Sequence, residues 1–266
     1  MTLKFVGGQH APPYVNVLLY GPPKSGKTAG ACSMPGGVML LNADLPNAAW
    51  YARSLAPDGR IQELQYQGLD MLAEIVHAFS QPQDVFQTIV VDTVGELYRR
   101  LLDEVSDDAL RKTLPQYGDA GTYVERLCRA LCESPVNVVF VCHEAPVKNE
   151  ATGEFESLPL TGTSNPALGQ KLMGMVDVIG WTHRFEQEEK VEYVAQVVTA
   201  DGRRGGDRFD CLDEGQGYRR LDLGDWMAAI REKTAPPQAP AGKAAPAKPA
   251  RSRRKKTTDK PEEKAA

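Results

Sequence analysis

A chain of 266 residues is long enough for one large domain or two small ones, and its 42% apolar and 25% charged residues are ordinary for a protein with a buried core. No run of 18 apolar residues is present, which excludes a spanning helix, and Met1–Gly8 is too short and too weakly charged to be expected to act as a signal peptide. The net charge of −4 hides a division: Lys233 to Ala266 carry ten Lys/Arg against three Asp/Glu (+7), and residues 1–232 carry 21 against 32 (−11).

In chain order, Val15 to Tyr20 is a short apolar run that reads as a buried strand ending in a glycine loop, and Lys27 to Ser33 follows as a helix. Val38 to Asn42 is a second buried strand. Ile61 to Tyr66 is a weaker one, followed by a helix with Leu69, Leu72, Ile75, Val76 and Phe79 on one face. Thr88 to Asp92 is a strand, Val94 to about Val105 a helix, Thr122 to Cys132 another helix, and Val136 to Cys142 a strand. This alternation predicts an α/β fold with a mostly parallel sheet and helices on both faces. After Met175, Val176 to Thr182 and Val191 to Thr199, joined by a polar EQEE segment, predict antiparallel strands at the sheet edge, and Asp222 to Arg231 a short terminal helix. The folded domain is thus expected over residues 1–232. The Ala/Pro/Lys-rich segment 233–266 has no apolar periodicity and is expected to be a disordered basic tail. The five cysteines, Cys32, Cys128, Cys132, Cys142 and Cys211, are odd in number and predict reduced thiols in a cytoplasm; Cys128 and Cys132, without a second ligand pair, read as core. Trp50, Trp181 and Trp226 read as packing residues.

The chemistry centres on Gly21-Pro22-Pro23-Lys24-Ser25-Gly26-Lys27-Thr28, which fits G-x-x-x-x-G-K-[ST] without a mismatch between a strand and a helix. Gly21 and Gly26 let the backbone curl so that N–H groups face phosphate oxygens, Lys27 reaches the β- and γ-phosphates, and Thr28 offers a hydroxyl to Mg²⁺. The loop therefore predicts binding of ATP with Mg²⁺, and hydrolysis. Asp92, ending TIVVD, sits where an acid holds Mg²⁺ through water at the carboxyl edge of a parallel sheet; the alternative is that it caps the next helix. Asp44, after VMLLN, can orient and polarise the attacking water, or is a loop acid with no role. His143, after VNVVFVC, can sense the γ-phosphate, or is simply packed. Val147-Lys148-Asn149-Glu150 does not match the guanine-selective N-K-x-D pattern.

The ordered set GPPKSGKT, LLNAD, TIVVDT, QYGD, VVFVCHE and SNPALGQKLMGMVD resembles the RecA-like ATPases of phages and prophages, minimal RecA-type cores linked to single-strand annealing and recombination, over roughly residues 14–212. The resemblance implies a RecA-like P-loop core, adenine nucleotide, and ATP bound between subunits of a homo-oligomer. It also implies single-stranded DNA as partner, with a single-strand-binding protein as a further candidate partner. Asp44 takes the place of the family's catalytic glutamate, one methylene shorter. His143 takes the place of a glutamine that couples nucleotide state to DNA binding. Leu114 to Thr122 corresponds to a first DNA-binding loop and Glu144 to Leu168 to a second, long and disordered one. Arg203, Arg204 and Arg208 lie near where related proteins place a cation that reaches a neighbour's ATP site. Against this stands the acidic core: DNA affinity needs clustered cations, and only Arg111, Lys112 and Lys148 flank or enter the two loops. The tail, with Ser252-Arg253-Arg254-Lys255-Lys256, is either the missing cationic surface or a solvated linker. The alternative function is a nucleotide-switched partner-binding ATPase without direct DNA contact. A small-molecule kinase would need an arginine-rich lid, which the sequence does not offer.

Overall fold

The computed structural model describes residues 14–106, 111–149, 152–162, 166–187, 190–215 and 217–235. The chain divides into Met1–Ala235 and Pro236–Ala266; the expected tail from 236 onward, the Met1–Gly8 segment and the middle of the EQEE turn lie outside the described residues.

Seventeen elements follow one another: β1 Asn16–Gly21, α1 Lys27–Ala31, β2 Val38–Asn42, α2 Trp50–Ser54, β3 Ile61–Gln65, α3 Leu69–Ala78, β4 Thr88–Asp92, α4 Val94–Glu104, α5 Leu114–Cys132, β5 Asn137–Lys148, β6 Phe155–Leu160, α6 Ala167–Met175, β7 Val178–Gln187, β8 Lys190–Gln196, β9 Gly206–Asp207, β10 Tyr218–Arg220 and α7 Leu223–Thr234 among the described residues. The sheet runs β10-β8-β7-β1-β5-β4-β2-β3, with β6 added to β5 and β9 to β7. The six strands from β3 to β7 in that order pair in parallel. β8 and β10 turn antiparallel at the edge, as the sequence suggests, although β7 itself lies parallel to β1.

Burial on both faces explains the unbroken apolar runs. Leu18 and Tyr20 of β1, with Leu41, Ile89 and Val91, pack against α3, α4 and α5. The alternate residues Val17, Leu19, Leu40 and Val90 face the opposite layer, which includes Trp226, Met227 and Ile230 of α7. Helices therefore cover both faces, and the carboxyl ends of β1, β2, β4 and β5 come together on one edge, with Gly21 opposite His143 and Asn42 opposite Asp92. One strand, β5, separates the P-loop strand from the Asp92 strand. This is an open, mostly parallel α/β sheet with antiparallel strands at one edge.

Three expectations are corrected. Leu114 to Thr122 is no loop: it is the first half of α5, started by a capping box in which the Thr113 backbone N–H donates to Gln116 Oε1 (2.8 Å), with Pro115 in the first turn where its missing N–H costs nothing. Glu144 to Leu168 is no long disordered loop either. β5 continues past Cys142 to Lys148 and pairs antiparallel with β6, from His143↔Leu160 to Lys148↔Phe155, and α6 begins at Ala167; residues 150–151 and 163–165 lie outside the description. Trp181 and Trp226 are buried, but Trp50 is 62% exposed on α2.

All five cysteines are unpaired, with Cys128 buried and Cys132 half-buried. Among the described residues no helix is long and apolar enough to cross a membrane.

Candidate active site

The loop from Gly21 to Thr28 turns at the end of β1 and is held from behind by the neighbouring strands. Ser25 Oγ and Thr182 Oγ1 of β7 share a buried hydrogen bond of 2.6 Å. Two glycines are required by space as well as by conformation. At Gly21 (φ +151°) a Cβ would lie 2.5 Å from the Thr182 carbonyl oxygen, and at Gly26 (φ +83°) it would lie 2.7 Å from the Tyr193 ring. Pro23 and Lys24 form the exposed crest of the loop.

Lys27 points into the loop. Its Nζ donates to the carbonyls of Gly21 (3.1 Å) and Pro22 (2.6 Å) and to Ser25 Oγ (3.3 Å). Burial pushes this ammonium below its usual range, opposed by the nearby Asp92 carboxylate. A buried cation resting only on neutral oxygens fits an anion at the mouth of the loop.

Thr28 Oγ1 donates to Asp92 Oδ2 at 2.6 Å, which brings together the two residues expected to hold Mg²⁺. Asp92 is buried, and desolvation raises its pKa to about 6, with the Thr28 hydrogen bond opposing the rise. The competing role for Asp92 is filled by its neighbour: Thr93 is the N-cap of α4, its Oγ1 accepting from Glu96 N (3.2 Å). A cation here would rest on Thr28 and Asp92, completed by phosphate oxygens and water.

Asp44 lines the same cleft, just beyond the end of β2. Its Oδ1 accepts from the Leu45 backbone N–H (2.8 Å), which fixes the rotamer and leaves Oδ2 for other partners. His143 lines it from the end of the buried half of β5. Its Nδ1 is buried and has no partner among the described residues. Burial, then Lys27, lower its pKa, which favours the neutral imidazole, with one nitrogen to donate and one to accept. An orphaned buried ring nitrogen beside Lys27 is what a ligand oxygen or its water would satisfy.

The cleft has a volume of about 770 Å³. Beyond the phosphate end its walls are Ser33, Ala48, Tyr51, Leu55, Tyr193 and Leu221, none of them anticipated from the sequence. Tyr51 lies on α2 and belongs to no motif; Tyr193 is a distant strand residue brought over the loop by the sheet. Of the arginines considered for a neighbour's site, Arg204 pairs with Glu156 and Arg208 with Asp177, while the Arg203 guanidinium lies 3.9 Å over the Trp181 ring. A separate cleft of about 550 Å³ between α3 and α5 is lined mainly by apolar side chains such as Leu72, Val76 and Leu127 and offers no comparable phosphate site.

This loop, on this sheet, with a carboxylate one strand away, defines a nucleotide-binding protein of the P-loop ATPase class. The chain belongs to the AAA_24 family of AAA domains, which matches over residues 14–209. Among solved structures it is similar to the flagellar accessory protein FlaH of Methanocaldococcus jannaschii, at 8% identity and a TM-score of 0.39, covering 72% of this chain and 79% of that one. It is also similar to a KaiC-like protein of Pyrococcus horikoshii OT3, at 14% identity and a TM-score of 0.40, covering 68% and 76%. No curated protein matches the chain.

Proposed function

We propose that the protein hydrolyses ATP with Mg²⁺ and couples hydrolysis to single-stranded DNA in recombination, annealing or repair. The observation that carries the ATPase part is the convergence of Lys27, Thr28, Asp92, Asp44 and His143, from four strand ends, on one cleft. Lys27 holds the phosphates and Thr28 with Asp92 holds the metal ion, which supplies charge neutralisation at the phosphate oxygens. Asp44 Oδ2 orients the attacking water and accepts its proton, and His143 registers the occupant of the phosphate end through its ring nitrogens. A second copy would close the cleft beside the exposed Leu45, Trp50, Tyr51 and Leu55, which supports a homo-oligomer.

The DNA part rests on motif order and on one placement. The two segments matched to DNA-binding loops line a common cleft of about 690 Å³, with Leu114, Tyr117 and Gly118 on one side and Gly162, Ala167 and Leu168 on the other. The second reading, a nucleotide-switched ATPase that grips a protein partner and never touches DNA, is favoured by charge. Lys171, which also lines that cleft, is paired with Glu125, and Lys112, just before the first segment, is paired with Asp103, which leaves few cations for phosphates near the two segments among the described residues.

ATP hydrolysis by the full chain, with and without single-stranded DNA at two salt concentrations, separates them. DNA coupling predicts stimulation that fades as salt rises. Hydrolysis indifferent to DNA removes the coupling and leaves the partner switch.

A further inference from the structure

We propose that Arg100, on α4 and outside the nucleotide cleft, is the positioning residue for Asp44. The inference rests on the reading of Asp44 as the group that activates water. Arg100 Nε donates to the carbonyl of Ala43 (2.5 Å) and Nη2 to the carbonyl of Asp44 (3.1 Å). The first carbonyl belongs to the peptide plane before Asp44 and the second to the plane after it. One guanidinium edge therefore fixes both backbone dihedrals of a residue that lies past the end of β2, where the strand ladder no longer holds the chain.

Two neighbours complete the brace. Gln65 Nε2 also donates to the Asp44 carbonyl (3.0 Å), and the Asp44 N–H donates to Asn42 Oδ1 (2.9 Å). Asn42 in turn donates to Glu63 Oε1 (2.7 Å), whose other oxygen pairs with Arg53. With the Leu45 N–H on Oδ1, backbone and rotamer are both set before any ligand arrives. The choice of arginine has a physical reason. Two adjacent donors in one plane match two successive carbonyls, whereas a lysine ammonium replaces the fork with a point donor. Arg100 reaches neither the P-loop nor the base end of the cleft, so its contribution is to the geometry of the carboxylate and not to nucleotide binding.

A double-mutant cycle tests this. Single-turnover ATP hydrolysis and ADP affinity are measured for the wild-type full chain, Arg100→Ala, Arg100→Lys, Asp44→Asn and the Arg100→Ala/Asp44→Asn double variant. Arg100→Ala is expected to slow the chemical step by about tenfold to a hundredfold, the scale of an ångström-sized misplacement. ADP affinity should stay within about twofold, and Arg100→Lys should fall between Arg100→Ala and wild type. In the double variant, loss of Arg100 should cost nothing beyond Asp44→Asn, because the group it positions is already gone. A wild-type rate in Arg100→Ala, or additive slowing in the double variant, overturns the proposal. If Arg100→Ala does not fold, Arg100→Lys with and without Asp44→Asn carries the same comparison. A wild-type rate in Asp44→Asn overturns the Asp44 reading itself, a result distinct from failure of the positioning role.

Discussion

Replacing Lys27 with alanine should abolish ATP turnover and weaken nucleotide binding by about 2–5 kcal/mol, the cost of removing one partner from a buried charged contact. The ammonium is enclosed by the Gly21 and Pro22 carbonyls and Ser25 Oγ, so nothing else in the loop can supply the positive charge. The crest residue Lys24 is exposed and is no substitute. Removal of Lys27 also takes away the cation that opposes the rise in the Asp92 pKa, so the buried carboxylate of the variant should hold its proton to higher pH. Calorimetric titration with ATP and phosphate release in the same preparation read both effects. Unchanged turnover in a folded Lys27→Ala protein would place the chemistry elsewhere.

Asp92→Asn should move stability and activity in opposite directions. Burial raises the folded pKa of Asp92 from 3.8 to about 6. Between roughly pH 4 and 6 the folded protein therefore holds more protons than the unfolded chain, and its stability falls as pH rises through that window. Above it, in the absence of ligand, the ionised carboxylate costs about 3 kcal/mol, at 1.36 kcal/mol per pKa unit. Asparagine keeps an acceptor for the Thr28 hydroxyl and carries no charge. The ligand-free variant should therefore melt higher than wild type at pH 7–8, with the gain shrinking toward pH 4. Hydrolysis should fall by about a hundredfold or more, because a metal-holding carboxylate is lost. Thermal melts at several pH values in EDTA, paired with Mg²⁺-dependent turnover, check both signs. A variant less stable than wild type at pH 8 contradicts the desolvation account, and one with full turnover contradicts the metal role.

These residues were legible in the sequence because parallel strands buried on both faces announce themselves as unbroken apolar runs. Val38–Asn42 and Thr88–Asp92 are bounded in the structure where the runs are bounded in the sequence, and the polar residue ending each run lands on the functional edge. What was hidden depends on contacts between distant residues. The first half of α5 contains Gly118 and Gly121, which lower helix propensity, and it is set by the Thr113–Gln116 cap and by Tyr98, whose hydroxyl donates to the Tyr117 carbonyl (3.0 Å). The far half of β5 has no apolar run because it pairs with β6 beyond the core, and polar residues suffice for a hairpin there. Thr93 as cap, Tyr193 over Gly26 and Arg100 behind Asp44 each rest on sheet register and helix rotation, which no local pattern records.

The central claim is that the cleft at the ends of β1, β2, β4 and β5 binds and hydrolyses ATP. Its most direct test is equilibrium binding of a fluorescent ATP analogue to the full chain, with phosphate release from ATP followed alongside, in Mg²⁺ and again in EDTA. Saturable binding with phosphate release that requires Mg²⁺ is the predicted result. A folded protein that binds no nucleotide at millimolar concentration, or that releases phosphate equally well in EDTA, would contradict it.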